Sequence, residues 1–218
     1  MFSSNVLDTL ILSKEKIILK NWHLQRTQEA FRFLGLPFSE IENCYDTIEK
    51  KYADQLQSDE CLRIVFLKSS PITYQVEIKK IEKLNGPIKL SGVYINESPG
   101  PEAQYKWETR ERWRLLLNEK KENTDDILLI NSRTELIETS RFNIFCYDKA
   151  TNTTYTPALN MGCLNGVFRR QALNEGAINL PDMGKKKIIE KIIKLDDLSV
   201  YQLFVGNSIR SALTAVLI

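Results

Sequence analysis

Histidine is nearly absent: His23 is the only one in the chain. The four cysteines, Cys44, Cys61, Cys146 and Cys163, include no C-x-x-C pair. Without paired thiols or a second imidazole, a zinc centre lacks its usual ligands, so no metal site is expected. The cysteines read as four reduced thiols of a cytosolic protein. Long apolar runs are also missing. None reaches the ~18 residues needed to cross a bilayer, and residues 1–9 lack the apolar stretch of a secretory signal. The expectation is a soluble, cytoplasmic protein with no membrane partner. Charge of one sign is lacking too, with 30 basic residues against 28 acidic and a net charge of +2. That balance excludes a basic stripe for nucleic acid. Lys120 and Lys121 lie between Glu119 and Glu122, and Lys185, Lys186 and Lys187 follow one another. Both runs read as solvated element ends. Internal repeats and low-complexity tracts are absent.

What is present is core material. The 218 residues are 43% hydrophobic, enough for one large domain or two small ones. Alternating apolar residues over 5–19, broken at Ser13-Lys14-Glu15, predict two strands joined by a turn. Leu24, Ala30, Phe31 and Leu34 are spaced as on an amphipathic helix over Trp22–Leu34, stopped by Gly35 and Pro37. Ser39, with Glu42 three residues on, predicts a capping box opening a helix from Glu40 to about Leu56. Leu62–Leu67, Thr73–Ile81 and Gly92–Ile95 read as strands. Ser98-Pro99-Gly100-Pro101 continues neither regular structure and reads as a linker. Beyond it, a helix is expected over Tyr105–Lys121. Strands are expected at Asp126–Asn131, Asn143–Tyr147, Thr153–Thr156, Lys187–Ile193 and Val200–Val205. A helix is expected to start at Val167. The expected fold class is α+β. Its parts are a small N-terminal domain at residues 1–97, a linker at 98–104 and a larger β-rich domain with helices at 105–218.

Four segments go beyond pattern: His23-Leu24-Gln25-Arg26, Tyr105-Lys106-Trp107-Glu108-Thr109-Arg110, Glu138-Thr139-Ser140-Arg141-Phe142-Asn143-Ile144-Phe145, and Thr156-Pro157-Ala158-Leu159 through Gly162 to Asn165-Gly166-Val167-Phe168-Arg169. A weaker fifth is Gly206-Asn207-Ser208-Ile209-Arg210. In order and spacing they resemble the class IV aminotransferases, the fold-type IV enzymes dependent on pyridoxal 5′-phosphate (PLP), along nearly the whole chain. The resemblance implies a two-domain fold with a β-barrel-like C-terminal domain, PLP as cofactor, and a homodimer.

It also implies roles. Lys106 corresponds to the Schiff-base lysine, an amine that serves as acid and base. Read as part of a helix, it would share a face with Thr109, Arg110 and Trp113. Glu138 corresponds to the carboxylate that keeps the pyridine nitrogen protonated, with Asn143 in the same signature. Arg26 corresponds to the arginine that holds the phosphate by its planar fork. His23, one helical turn earlier, is expected to pack or to orient its neighbours. Val167 and Phe168 would offer backbone N–H groups to the phosphate at a helix N-terminus. Asn207 and Ser208 would donate from a last loop, and Arg210 is the candidate for a substrate carboxylate. Trp107 and Trp113 are interface or core residues.

Two departures bear on the reaction. Family members usually open with an extra strand and a Y-G-D-G-like turn, whereas this sequence starts almost at Val6-Leu7-Asp8-Thr9. Position 111 is glutamate, where branched-chain aminotransferases commonly carry tyrosine nearby. With the Gly206–Arg210 segment, these favour a lyase that converts 4-amino-4-deoxychorismate to p-aminobenzoate and pyruvate. A branched-chain or D-amino acid aminotransferase is the alternative.

Overall fold

The computed structural model describes residues 4–14, 16–55, 58–81, 83–84, 86–96, 99–109 and 111–218. They form an α+β structure of two compact units, Met1–Leu84 with Tyr105–Thr109, and Asn85–Gln104 with Arg110–Ile218.

The first unit is a three-stranded antiparallel sheet with two helices. The strands are β1 (Val6–Leu12), β2 (Glu60–Phe66) and β3 (Tyr74–Lys79), in the order β1-β2-β3. The helices are α1 (Lys20–Phe33) and α2 (Ile41–Ala53). Period-2 alternation puts Val6, Asp8, Leu10 and Leu12 on one face of β1, and the three apolar members join the core. Into it α1 brings Ala30 and Phe31, and α2 brings Ile41, Tyr45 and Ile48. His23, Arg26, Thr27, Ala30 and Phe31 are the buried stripe of α1, at the i, i+3, i+4, i+7 spacing of one helical face. Its C-terminal half is apolar and its N-terminal half polar, so the polar half meets Asp8.

Several sequence expectations change here. The second strand of the expected 5–19 hairpin is a single bridge, Leu12 with Ile17, and α1 follows at once; Glu15 of the expected turn lies outside the described residues. No side chain caps α2, whose N-cap is Glu40 rather than Ser39. Lys106 is not helical. Residues 106–108 run along the open edge of β1: Leu7 N–H donates to Lys106 C=O at 2.9 Å, Glu108 N–H to Asn5 C=O at 2.9 Å, and Trp107 bridges Val6. An open strand edge offers unpaired backbone groups, and satisfying them outweighs the helix propensity of this stretch. The expected shared face of Lys106 with Thr109 and Trp113 therefore does not form, and Arg110 is outside the described residues. Trp107 packs into the core of the first unit.

The second unit is one nine-stranded sheet. Its strands are β4 (Ile88–Ile95), β5 (Asp126–Asn131), β6 (Leu136–Thr139), β7 (Asn143–Asp148), β8 (Thr153–Pro157), β9 (Ala177–Leu180), β10 (Gly184–Lys191), β11 (Tyr201–Asn207) and β12 (Ser211–Leu217). The order is β6-β5-β4-β12-β11-β7-β8-β10-β9. The β4–β5, β4–β12 and β8–β10 pairs are parallel and the rest antiparallel. Edge strand β6 comes back against β7 and β8, so the sheet curls into a half-barrel. A short α3 (Glu111–Leu116) and α4 (Val167–Glu175) complete the unit. Trp113 and Leu116 of α3 pack against a core of β4, β5 and β6 residues, including Val93, Ile127, Leu129 and Ile137. Ala172 of α4 packs on Phe145, Phe204 and Ile188. Because β4 pairs with β5 and β12, residues 86–96 belong to this unit rather than to the N-terminal one. The Pro/Gly break at 98–104 also falls within it, with Ser98 outside the described residues.

All four cysteines are buried, and none forms a disulfide. Among the described residues no helix is long and apolar enough to cross a membrane.

Candidate active site

The first unit gathers a cluster of polar side chains around Asp8, which is completely buried. The Asp8 carboxylate accepts the Thr9 N–H at 2.8 Å, His23 Nδ1 at 2.9 Å, and hydrogen bonds from the Tyr45 hydroxyl and Arg26 Nη2. Tyr45 is held in turn by Thr27 Oγ1 at 2.8 Å. Burial alone would raise the Asp8 pKa, but His23 and Arg26 beside it overcome that and hold it well below the usual carboxylate range. Burial pushes His23 below its ordinary value despite the nearby carboxylate. His23 is therefore neutral at pH 7, with Nδ1–H on Asp8. Its Nε2 is buried without a partner among the described residues. Thr9, on the opposite face of β1, accepts a hydrogen bond from Lys106 Nζ at 2.8 Å. The alternation that sends Trp107 into the core turns Lys106 to this other face.

The second unit builds its cluster around Leu164, two residues before Gly166. Glu138, 7% exposed at the end of β6, accepts the Leu164 N–H on Oε2 at 2.9 Å. Asn143, at the start of β7, donates from Nδ2 to the Leu164 C=O at 2.8 Å. One residue's amide and carbonyl are thus gripped by two side chains of the Glu138–Phe145 signature. The grip sets the entry to α4, whose N-cap Gly166 carries no side-chain cap and whose first turn holds no acidic residue. Arg169 is nearly fully buried in that turn. It donates to Pro157 C=O at 2.9 Å and pairs with Glu190, tying α4 to β8 and β10. Phe168 packs edge-on against Phe145 and lies so close to Gly206 that a Cβ there would sit 2.8 Å from its ring. Asn207 shapes the β11–β12 turn: its Oδ1 accepts the Ile209 and Arg210 N–H groups at 3.0 Å each. Its Nδ2 donates to Arg141 C=O at 3.2 Å. Ser208 and Arg210 are half-buried in the same turn.

A family description of amino-transferase class IV matches residues 5–218. The chain belongs to that family. A Schizosaccharomyces pombe protein named "Putative aminodeoxychorismate lyase" is 25% identical over 225 residues, covering all of this chain and 91% of that protein. A Mesorhizobium loti structure named "Putative amino-acid aminotransferase" superposes with a TM-score of 0.84 at 22% identity, covering 99% of this chain and 100% of its own. The PLP-bound form of a Mycobacterium tuberculosis protein named "A hypothetical aminotransferase" superposes at 0.80 and 14% identity, covering 98% and 81%. These structures share the fold-type IV architecture.

Against that class IV background, the structure groups the sequence-selected residues in two sets. Lys106 and Arg26 lie in the first unit, with His23. Glu138 and Asn143 meet at Leu164 in the second, Val167 and Phe168 open the helix that follows, and Asn207, Ser208 and Arg210 share one turn. Sequence reasoning missed Asp8, Thr9 and Tyr45. The signal for Asp8 was available: an acidic residue in the apolar row of Val6-Leu7-Asp8-Thr9-Leu10-Ile11-Leu12 must be paired if it is buried.

Proposed function

We propose that this chain is a PLP-dependent lyase that converts 4-amino-4-deoxychorismate to p-aminobenzoate and pyruvate, working as a homodimer. The observation that carries the cofactor is the uncapped N-terminus of α4, fixed through Leu164 by Glu138 and Asn143. A helix start with open N–H groups suits a phosphate. A carboxylate anchored to the same loop suits a protonated pyridine nitrogen. Arg26 fits as well. Its only hydrogen bond among the described residues is through Nη2 to Asp8, which leaves Nε and Nη1 to donate.

In this reading Val167 and Phe168 offer their amides, and Arg26 its remaining donors, to the phosphate. Asn207 and Ser208 donate from the last turn. Glu138 holds a proton on the ring nitrogen, and Lys106 is the covalent attachment point. When bound, PLP supplies the electron sink for the bond cleavage. Lys106, its Nζ set on Thr9 Oγ1, would take the substrate's proton and pass it to the departing enolpyruvate, which leaves as pyruvate. Arg210 receives one of the two substrate carboxylates. The choice of a lyase is supported by the S. pombe relative. The same residues would serve an aminotransferase, the activity in the family's name.

The test is pyruvate release from 4-amino-4-deoxychorismate with equimolar p-aminobenzoate, run beside amino-group transfer from branched-chain and D-amino acids to 2-oxoglutarate. Transfer without pyruvate release would replace the lyase reading by the aminotransferase one. Borohydride reduction in the presence of PLP should fix the cofactor on Lys106, and a label on another lysine would overturn the assignment.

A further inference from the structure

We infer that Asp8 is a positioning residue that orients Arg26 for a phosphate monoester, without touching the ligand itself. The inference rests on the proposed cofactor reading and adds to it a residue buried beneath the binding groups. Asp8 occupies a core-facing position of β1, between Val6 and Leu10. A carboxylate there carries a desolvation cost that an apolar residue would not. Donors from three elements offset it: the Thr9 amide of β1, His23 and Arg26 of α1, and Tyr45 of α2. The arrangement is not optimal for stability, because it leaves His23 Nε2 buried and without a partner among the described residues.

What the carboxylate achieves is directional. A guanidinium is planar, so anchoring Nη2 fixes where the Nε–H and Nη1–H bonds point. Among the described residues nothing accepts from those two nitrogens, and neither is a fully buried unsatisfied atom. Arg26 is nonetheless only 4% exposed. It therefore presents pre-oriented donors with little rotamer freedom left to lose on binding. The matching ligand is an anion with paired oxygens, and the phosphate ester of the proposed cofactor is one.

The test uses full-length apoprotein and two probes, PLP and pyridoxal, which lacks the phosphate. Affinities are measured by calorimetry for wild type, Asp8→Asn, Arg26→Ala and the double variant. Asp8→Asn should weaken PLP roughly tenfold and leave pyridoxal unchanged. In the Arg26→Ala background it should have no further effect on PLP. Equal weakening of PLP and pyridoxal, or an Asp8→Asn effect that persists without Arg26, overturns the inference and leaves the cofactor reading standing. If Arg26→Ala binds PLP like wild type, Arg26 holds no phosphate, and the cofactor reading of that residue fails first. Should Asp8→Asn not fold, Tyr45→Phe removes one donor from the same carboxylate. It should show a smaller loss for PLP alone, and wild-type PLP affinity in that variant would sink the inference.

Discussion

Gly166 can be tested by adding one methyl group. Its backbone, at φ −64° and ψ 147°, is one that any residue adopts. The obstacle is steric: a Cβ would land inside the van der Waals radius of Asn143 Oδ1. Gly166→Ala must therefore push Asn143 aside and break its 2.8 Å hydrogen bond to Leu164 C=O. Losing that bond and leaving the carbonyl poorly satisfied costs about 1–3 kcal/mol. In a chain of this size each kcal/mol lowers Tm by about 2–4 °C. The loop before α4 shifts as well, so PLP affinity should fall with stability. The measurements are denaturant unfolding and PLP titration of Gly166→Ala, Asn143→Ala and the double variant. Once Asn143 is an alanine the clash is gone, so the double variant should resemble Asn143→Ala alone. Wild-type stability in Gly166→Ala, or losses in the double variant equal to the sum of the singles, would refute the reasoning.

Glu138→Gln keeps the shape of the Leu164 contact but removes the charge. Turnover should drop by roughly 10²-fold or more with the fold intact, and near-normal kcat would remove Glu138 as the ring-nitrogen partner. His23 has a folded pKa below its ordinary 6.5, so its contribution to stability is fully present above pH 6.5 and is lost as pH falls from there towards the folded value. Being the sole histidine, it contributes a stability slope below about pH 6.5 of at most about 1.4 kcal/mol per pH unit. His23→Gln should flatten that slope, and an unchanged slope by urea unfolding would contradict a neutral, buried His23. Arg210→Lys exchanges a planar fork for a point charge. It should raise KM for 4-amino-4-deoxychorismate several-fold with an unchanged PLP spectrum, and an unaltered KM would take Arg210 out of the site.

The parts of the fold legible in the sequence are those where local pattern and tertiary environment agree. Asp126–Asn131 and Asn143–Tyr147 are apolar runs bounded by turns, and they became β5 and β7 with at most one residue of difference. The start of α4 at Val167 followed from the Asn-Gly before it. The segment around Lys106 misled because nearly every residue from Tyr105 to Leu117 tolerates a helix, and only pairing with β1 makes 105–109 extended. Strand β6 escaped notice at four residues, although it carries Glu138. Strand β12, with its two alanines, resembles no strand in isolation and is stabilised by β11 and β4. The site was legible only through its motifs. Asp8 depends on a helix stripe and a strand row meeting, a coincidence that no single segment displays.

The excursion of the chain between the two segments of the first unit has a consequence for biosynthesis. Strand β1 leaves the ribosome well before the residues that cover its open edge, numbers 106–108, and the tryptophan among them that fills the adjoining core. Until they emerge, the nascent first unit exposes an unpaired strand edge rich in leucine, a template for pairing with other chains. A fragment ending at residue 84 would keep that exposed edge permanently. Grafting residues 105–109 onto it through a short flexible tether is the simplest way to make it self-sufficient.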